Sequence, residues 1–250
     1  TNSGGFTSFD VIITVNDIAP SGLSYLSPNI FTKNSAIVAL NPNVSGGAVL
    51  SYSISPSLPS GLSFDTSSGV ISGTPTVITS ATSYTVTATN SGGFTSFDVI
   101  ITVNDIVPNG LSYTTPNVFT KNSAITALNP NVSGGTVLNY SISPALPLGL
   151  SFNTTNGVIS GVPFIVSPTT TYTVIATNSG GSTSFDFIIT VNDVAPNTFS
   201  YPSPNVFTKN TSILNLLPSI TGTVLSYSIS PSLPLGLSFD TSSGVISGTP

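Results

Sequence analysis

Apolar and polar side chains alternate strictly over several short runs. Tyr84, Val86 and Ala88 alternate with Thr85, Thr87 and Thr89, the period of a strand with one face in a core and the other in water. Val99, Ile101 and Val103 form one face of a second run. Between the two lies Asn90-Ser91-Gly92-Gly93, a tight turn whose glycines accept positive φ. Leu50, Tyr52 and Ile54 alternate in the same way with Ser51, Ser53 and Ser55. Phe64 and Val70–Ile71 flank Asp65-Thr66-Ser67-Ser68-Gly69, a second hairpin. No segment has helical periodicity, and 20 prolines and 22 glycines punctuate the runs. The pattern predicts an all-β chain. Its core should include Tyr52, Ile54, Phe64, Ile71, Tyr84, Val86, Val99, Ile101 and Val103.

The pattern also recurs. TNSGGFTSFDVIITVNDI at Thr1–Ile18 returns unchanged at Thr89–Ile106, and as TNSGGSTSFDFIITVNDV at Thr177–Val194, a spacing of 88 residues. FTKN recurs at Phe31, Phe119 and Phe207 with the same spacing. The third copy then loses one residue, where VSGGTVL at Val132–Leu138 becomes ITGTVL at Ile220–Leu225. An 88-residue unit exceeds solenoid periods and matches a β-sandwich able to bury its own core. The copies meet at VNDIAP (Val15–Pro20), VNDIVP (Val103–Pro108) and VNDVAP (Val191–Pro196). Each short connection ends in a proline, which fixes φ and extends the residue before it. Such linkers are semi-rigid and predict an elongated array. The expected organisation is a closing strand over 1–18, complete repeats over 19–106 and 107–194, and a repeat lacking its last hairpin over 195–250. That frame reads as a window cut from a longer array.

Composition narrows the chemistry. The chain has no Cys, His, Met, Trp, Glu or Arg; its charged residues are three lysines and eight aspartates. Without imidazole or thiol, the usual general bases, activated nucleophiles and soft-metal ligands are missing, which argues against an enzyme. A net charge of −5 with three cations argues against nucleic acid and anionic membranes, since phosphate binding needs clustered Lys or Arg. No apolar run reaches the roughly 20 residues of a membrane span. The absence of cysteine rules out a disulfide framework without placing the protein in the cytosol.

At Leu58–Pro75, LPSGLSFDTSSGVISGTP is followed by SYTVTATNSGG (Ser83–Gly93) and FDVIITVND (Phe97–Asp105). This series resembles the putative-Ig, cadherin-like repeats of bacterial surface proteins, often called He-PIG domains. The pattern stands again at Leu146–Pro163, with Val162 replacing the Thr, and at Leu233–Pro250. The resemblance covers nearly the whole chain. It implies tandem Ig-like or cadherin-like antiparallel sandwiches in a long extracellular or cell-surface protein, often an adhesin or motility filament. It brings no catalytic residues and names no ligand.

Several residues invite a further role. Asn16-Asp17, Asn104-Asp105 and Asn192-Asp193 sit at the joints and look similar to part of the calcium-binding linker of cadherins. Calcium takes six to eight oxygens, usually with several carboxylates, and this chain has no Glu or second acidic linker motif. Turn shaping at the strand end is the simpler account, and no cofactor is expected. Lys33, Lys121 and Lys209 stand one per repeat beside the first long strand, with Asp98 and Asp186 in the last strand. Some Ig-like adhesin domains join such strands by an isopeptide bond. Asp98, however, alternates with Val99, Ile101 and Val103 and should face away from their core. A solvated lysine guarding an edge is the plainer reading. Asp65 and Asp240 fall in a hairpin turn where Asn153 substitutes, as turn residues tolerate. Tyr84 and Tyr172 are candidates for the corner hydrogen bond of Ig folds, or ordinary core tyrosines. Tyr25 and Tyr113 are candidate exposed aromatics for glycan, or strand-end core. The Ser and Thr faces raise O-linked sugar by composition alone, and the Thr85, Thr87 and Thr89 row raises ice binding. The leading expectation is a structural and adhesive segment, partnered by neighbouring repeats and by a glycan or host surface. A glycan- or calcium-binding module is the alternative, and a self-crosslinking fibre the third reading.

Overall fold

A computed structural model describes residues 3–250. Thr1 and Asn2, where the closing strand expected over 1–18 begins, lie outside the described residues. Among the described residues every regular element is a strand. In the first repeat the strands are β1 (Pro20–Ser24), β2 (Asn29–Thr32), β3 (Asn43–Gly46), β4 (Ser51–Ser55), β5 (Leu62–Phe64), β6 (Ile71–Gly73), β7 (Thr79–Asn90) and β8 (Gly93–Asn104). Eight strands follow at the 88-residue offset: β9 (Asn109–Ser112), β10 (Asn117–Thr120), β11 (Asn131–Ser133), β12 (Asn139–Ser143), β13 (Leu150–Phe152), β14 (Ile159–Gly161), β15 (Ser167–Asn178) and β16 (Gly181–Asn192). Beyond them stand β17 (Asn197–Ser200), β18 (Ser219–Thr221), β19 (Leu237–Phe239) and β20 (Ile246–Gly248).

The long hairpin β7–β8 is the spine of the first repeat. It turns on Ser91-Gly92 with Asn90 opposite Gly93, and Tyr84 faces Val99 across the ladder. β4 extends the sheet on one side, with Tyr52 opposite Ala88 and Ile54 opposite Val86. β2 extends it on the other, giving the order β2-β8-β7-β4; β10-β16-β15-β12 repeats it. The second layer is made of β1 paired with β3 and β5 paired with β6, tied to the preceding segment by the Leu40–Ile71 bridge. Val86, Ala88, Val99, Ile101 and Val103 are fully enclosed between the layers. Each of the Val and Ile side chains contributes about 1.5–3 kcal/mol by leaving water. Among the described residues no buried side-chain nitrogen or oxygen lacks a hydrogen-bond partner.

Four sequence expectations need correcting. β2 runs parallel to β8, Asn29 opposite Ile101 and Thr32 opposite Asn104, so the sandwich is not antiparallel throughout. The chain leaves β1, bends at Pro28 and joins the other sheet travelling in the same direction as its last strand; alternation within a strand does not reveal this. Leu50 does not share the inward face of Tyr52. It precedes β4 and is largely exposed, its N–H bonded to Thr89 O. Ile54 and Phe64 pack against the core but are only half-buried, whereas Leu23, Tyr25 and Leu40 belong to it fully. Finally, residues 6–19 form no strand.

By its contacts the described chain gathers into two compact units. One runs up to Gly110 and takes in Ser133–Leu138 and Thr177–Thr183; the other holds Leu111–Val132, Asn139–Ala176 and Ser184–Pro250.

Candidate functional site

The joints concentrate the polar side chains that alternation does not explain. At the first, Asp17 donates its N–H to Ser91 Oγ (2.9 Å), and that hydroxyl donates to Asp17 Oδ2 (2.9 Å). Asn90 is buried beside them. Its Oδ1 accepts from the N–H groups of Gly92 (2.8 Å) and Gly93 (3.2 Å), which builds the turn. Its Nδ2 donates to Ile18 O (2.7 Å) and Ala48 O (3.0 Å). The linker peptide therefore lies in a slot between two glycine turns. A Cβ on Gly47 would stand 1.7 Å from Ile18 O, and one on Gly92 1.9 Å from Asp17 O.

The second joint repeats the arrangement. Asp105 N–H donates to Ser179 Oγ (2.9 Å), and Asp105 Oδ1 accepts from Ile106 N–H (2.9 Å). Asn178 Oδ1 accepts from Gly180 (2.8 Å) and Gly181 (3.2 Å), while its Nδ2 donates to Ile106 O (2.7 Å). A Cβ on Gly135 or Gly180 would come within 1.9 or 2.1 Å of the linker carbonyls of Ile106 and Asp105. The third joint is built differently. Asp193 Oδ1 accepts from Val194 N–H (2.9 Å) and Thr223 Oγ1 (3.0 Å), Thr223 N–H donates to Val194 O (3.3 Å), and Lys121 Nζ lies 3.9 Å from Asp193 Oδ1. That ion pair is about one-third exposed on each side and contributes little.

Asp17 and Asp193 are thus engaged with the following repeat through their carboxylates, and Asp105 through its N–H. Asn16 is exposed, whereas Asn104 and Asn192 end their strands and accept the N–H of Lys33 and Lys121 through their carbonyls (both 2.8 Å). Among the described residues no three acidic side chains gather within reach of one metal ion. The sequence reading singled out Asn-Asp at the joints and took Asn90 for turn chemistry. It missed that Ser91, Ser179 and the amides of Asn90 and Asn178 hold the linker. The available signal was the recurrence of two Ser-Gly-Gly turns per complete repeat, at Ser45–Gly47 and Ser91–Gly93.

The remaining candidates are placed plainly. Asp98 and Asp186 lie on the outer face and accept the hydroxyls of Thr85 and Thr173 (2.6 Å each). Asp65 Oδ1 accepts from Ser67 N–H, Ser67 Oγ and Ser68 N–H, which hold its carboxyl down at about 2, and Asp240 matches it. Asn153 makes the equivalent bonds to Thr155 and Asn156. Tyr25 and Tyr113 are buried, contrary to the exposed-aromatic reading. Their phenols donate to Gly69 O (2.6 Å) and Gly157 O (2.7 Å), and burial, with a neighbouring tyrosine, raises both above the usual range. Gly69 has φ of 75° and would set a Cβ 2.8 Å from the Tyr52 ring, so the turn and the tyrosine pair require glycine together. Tyr84 and Tyr172 are core side chains. An open groove of about 510 Å³ runs along β2, lined by Leu26, Asn29, Ile30, Phe31, Val38 and Leu40 among others. Asn29 already donates its amide to Leu26 O, so the groove offers a ligand little beyond apolar edge.

Comparison with known proteins bears on these repeats. A family model described as "Putative Ig domain" matches residues 11–105, 101–192 and 194–250. The chain is 35% identical over 147 residues to a "Serine-rich adhesin for platelets" of Staphylococcus aureus, covering 55% of this chain and 6% of that protein. The version from strain MRSA252 is 34% identical over the same length, with 10% of it covered. The chain therefore spans a tenth or less of the relatives' own length. Among solved structures, an I-band fragment of titin overlaps 95% of this chain and 89% of its own at 15% identity and a TM-score of 0.41. The Sidekick-1 immunoglobulin domains overlap 95% of this chain and 54% of their own at 13% identity and 0.43. Overlaps this loose carry no weight for the fold, which stands on the strand pairing and the family match.

Proposed function

The chain belongs to the putative Ig domain family in tandem copies, and from that membership we propose that it is a spacer segment of a long bacterial surface adhesin. Its homology to adhesins supports a structural and adhesive role at the cell surface. The observation that carries the spacer reading is the joint. In both complete repeats the linker is seated in a glycine slot and hydrogen-bonded by the repeat that follows it. Folded units joined this way suit mechanical extension, carrying a binding tip away from the cell. The repeat boundaries 19–106, 107–194 and 195–250 belong to this reading.

The experiment is to immobilise the 250-residue chain on beads and offer it glycan arrays, platelets and cell-wall polymers with and without calcium. A spacer gives no saturable binding alone and extends the reach of a tip domain fused to it. Saturable binding by the chain alone would replace the spacer with a glycan- or surface-binding module. The same preparation, heated with chelator or millimolar calcium, should melt at one temperature. A ligand bound only to the folded state raises the midpoint by mass action. A calcium-dependent rise of several degrees would make metal ligands of Asp17, Asp105 and Asp193 with Asn16, Asn104 and Asn192. An intact mass about 17 or 18 daltons low per repeat, the loss of ammonia or water, would reveal a lysine crosslink.

A further inference from the structure

The amide of Asn178 does two separate jobs with its two ends. Oδ1 accepts the N–H groups of Gly180 and Gly181 and so shapes the turn that closes β15–β16. Nδ2 faces the other way and donates to Ile106 O in the linker. Asn90 has the same division, its Nδ2 shared between Ile18 O and Ala48 O. Both side chains are buried, where a lost hydrogen bond is costly because water does not replace it. The neighbouring serine, Ser91 or Ser179, adds a bond to the linker N–H.

We propose that Asn90 and Asn178 are positioning residues that latch each linker to the long hairpin of the repeat it enters, so that the linker is fixed only while that hairpin is closed. The proposal is independent of the spacer reading. It makes the order of a linker a property of the folded state of the next repeat. At the third joint the ITGTVL loop reaches the linker. There Val194 O, the counterpart of Ile18 O and Ile106 O, accepts from Thr223 N–H at 3.3 Å, and Asp193 accepts from Thr223 Oγ1. Opening of a hairpin under load would release the linker that precedes it.

The test uses the full chain carrying Asn178→Asp. An aspartate keeps the oxygen that accepts from Gly180 and Gly181 and replaces the donor to Ile106 O with a second acceptor. Residue-resolved amide exchange is read by NMR. The latch predicts that the Asp105 and Ile106 amides exchange at least tenfold faster, while amides in the middle of β15 and β16 hold their rates. The Asp17 amide in the untouched first joint is the internal control. Protonating the new carboxyl restores a donor, so the excess over the parent chain should shrink in acid. Unchanged exchange at Asp105 and Ile106 would overturn the proposal. So would an increase shared equally by the whole 107–194 repeat, which would mean that Asn178 only supports the turn. If Asn178→Asp does not fold, Ser179→Ala removes the Asp105 bond alone. It should speed Asp105 at least severalfold and spare the strands; an unaltered Asp105 rate there counts against the latch.

Discussion

Phe6–Ile18 and Phe94–Ile106 have the same thirteen-residue sequence and different structures. In the second copy, Gly93–Asn104 is a twelve-residue strand zipped between β7 and β2, and Val99, Ile101 and Val103 are wholly buried. In the first, residues 6–18 form no strand, and Val11, Ile13 and Val15 are 70%, 79% and 88% exposed. What differs is the company. β8 has a covalently adjacent partner across the Asn90–Gly93 turn and a second partner in β2. Alternation thus records that a segment fits a half-buried sheet, and the strand forms only where neighbours complete the ladder. Residues 195–250 teach the same from the other side. The pieces that find their partners within that stretch persist: the β19–β20 hairpin, the Leu216–Ile246 bridge and the Tyr201 phenol bonded to Gly244 O. Residues 205–208 and 226–230, counterparts of β2 and β4, form no strand, and no long hairpin lies beside them among the described residues.

The largest test of the comparison places one charge in each copy. Ile101→Asp puts a carboxylate in a closed apolar core and should cost more than about 4 kcal/mol, enough to unfold the first repeat. Ile13→Asp should leave the melting curve within about 0.5 kcal/mol of the parent. If the two variants melt alike, the free copy is in fact packed. Truncation is gentler. Ile101→Ala should destabilise by about 2–5 kcal/mol, whereas Ile13→Ala should be neutral in the same urea titration.

A smaller contrast lies in the tyrosines. Tyr25→Phe leaves Gly69 O without its donor inside the core and should cost about 1–3 kcal/mol. Tyr201→Phe removes the same bond from a half-exposed site and should cost less, since water can replace it. Equal losses would show the third repeat to be as closed as the first. The smallest effect is expected at the Asp65 and Asp240 turns. Their folded carboxyls sit at about 2, below the roughly 3.9 of an unfolded chain. Their contribution is therefore complete above about pH 4 and lost as pH falls toward 2. Asp65→Asn, the state already present at Asn153, should flatten the acid dependence of the first repeat's melting midpoint between pH 4 and 2. A midpoint as acid-sensitive as the parent's would remove Asp65 from that account.

Much of the fold was legible because its signals are local. Asn90-Ser91-Gly92-Gly93 encodes a two-residue turn, and the flanking alternation fixes which faces of β7 and β8 meet. The exactness of the repeat then carries the same reading to β15 and β16. The outward aim of Asp98 followed from alternation alone, and Thr85 confirms it. The joint was half legible. Asn104-Asp105 marked the place, but Ser179 lies 74 residues beyond Asp105 and Asn178 lies 72 beyond Ile106, and no periodicity connects them. Tyr25 had two open readings, exposed aromatic or strand-end core, for the same reason: its partner Gly69, which settles it as core, is 44 residues away.

By itself, then, the sequence determined the repeat, the hairpins, the inward faces and the lack of imidazole and thiol side chains, all of which depend on side-chain type and near-neighbour spacing. The tertiary structure decided the rest: that β2 lies parallel to β8, that Tyr25 is core, that the linker is held by the hairpin it precedes, and which of two identical segments becomes a strand. Each of these depends on a hydrogen-bonding edge or an apolar face brought from far along the chain, and a backbone edge without its partner stays in water whatever its own residues prefer.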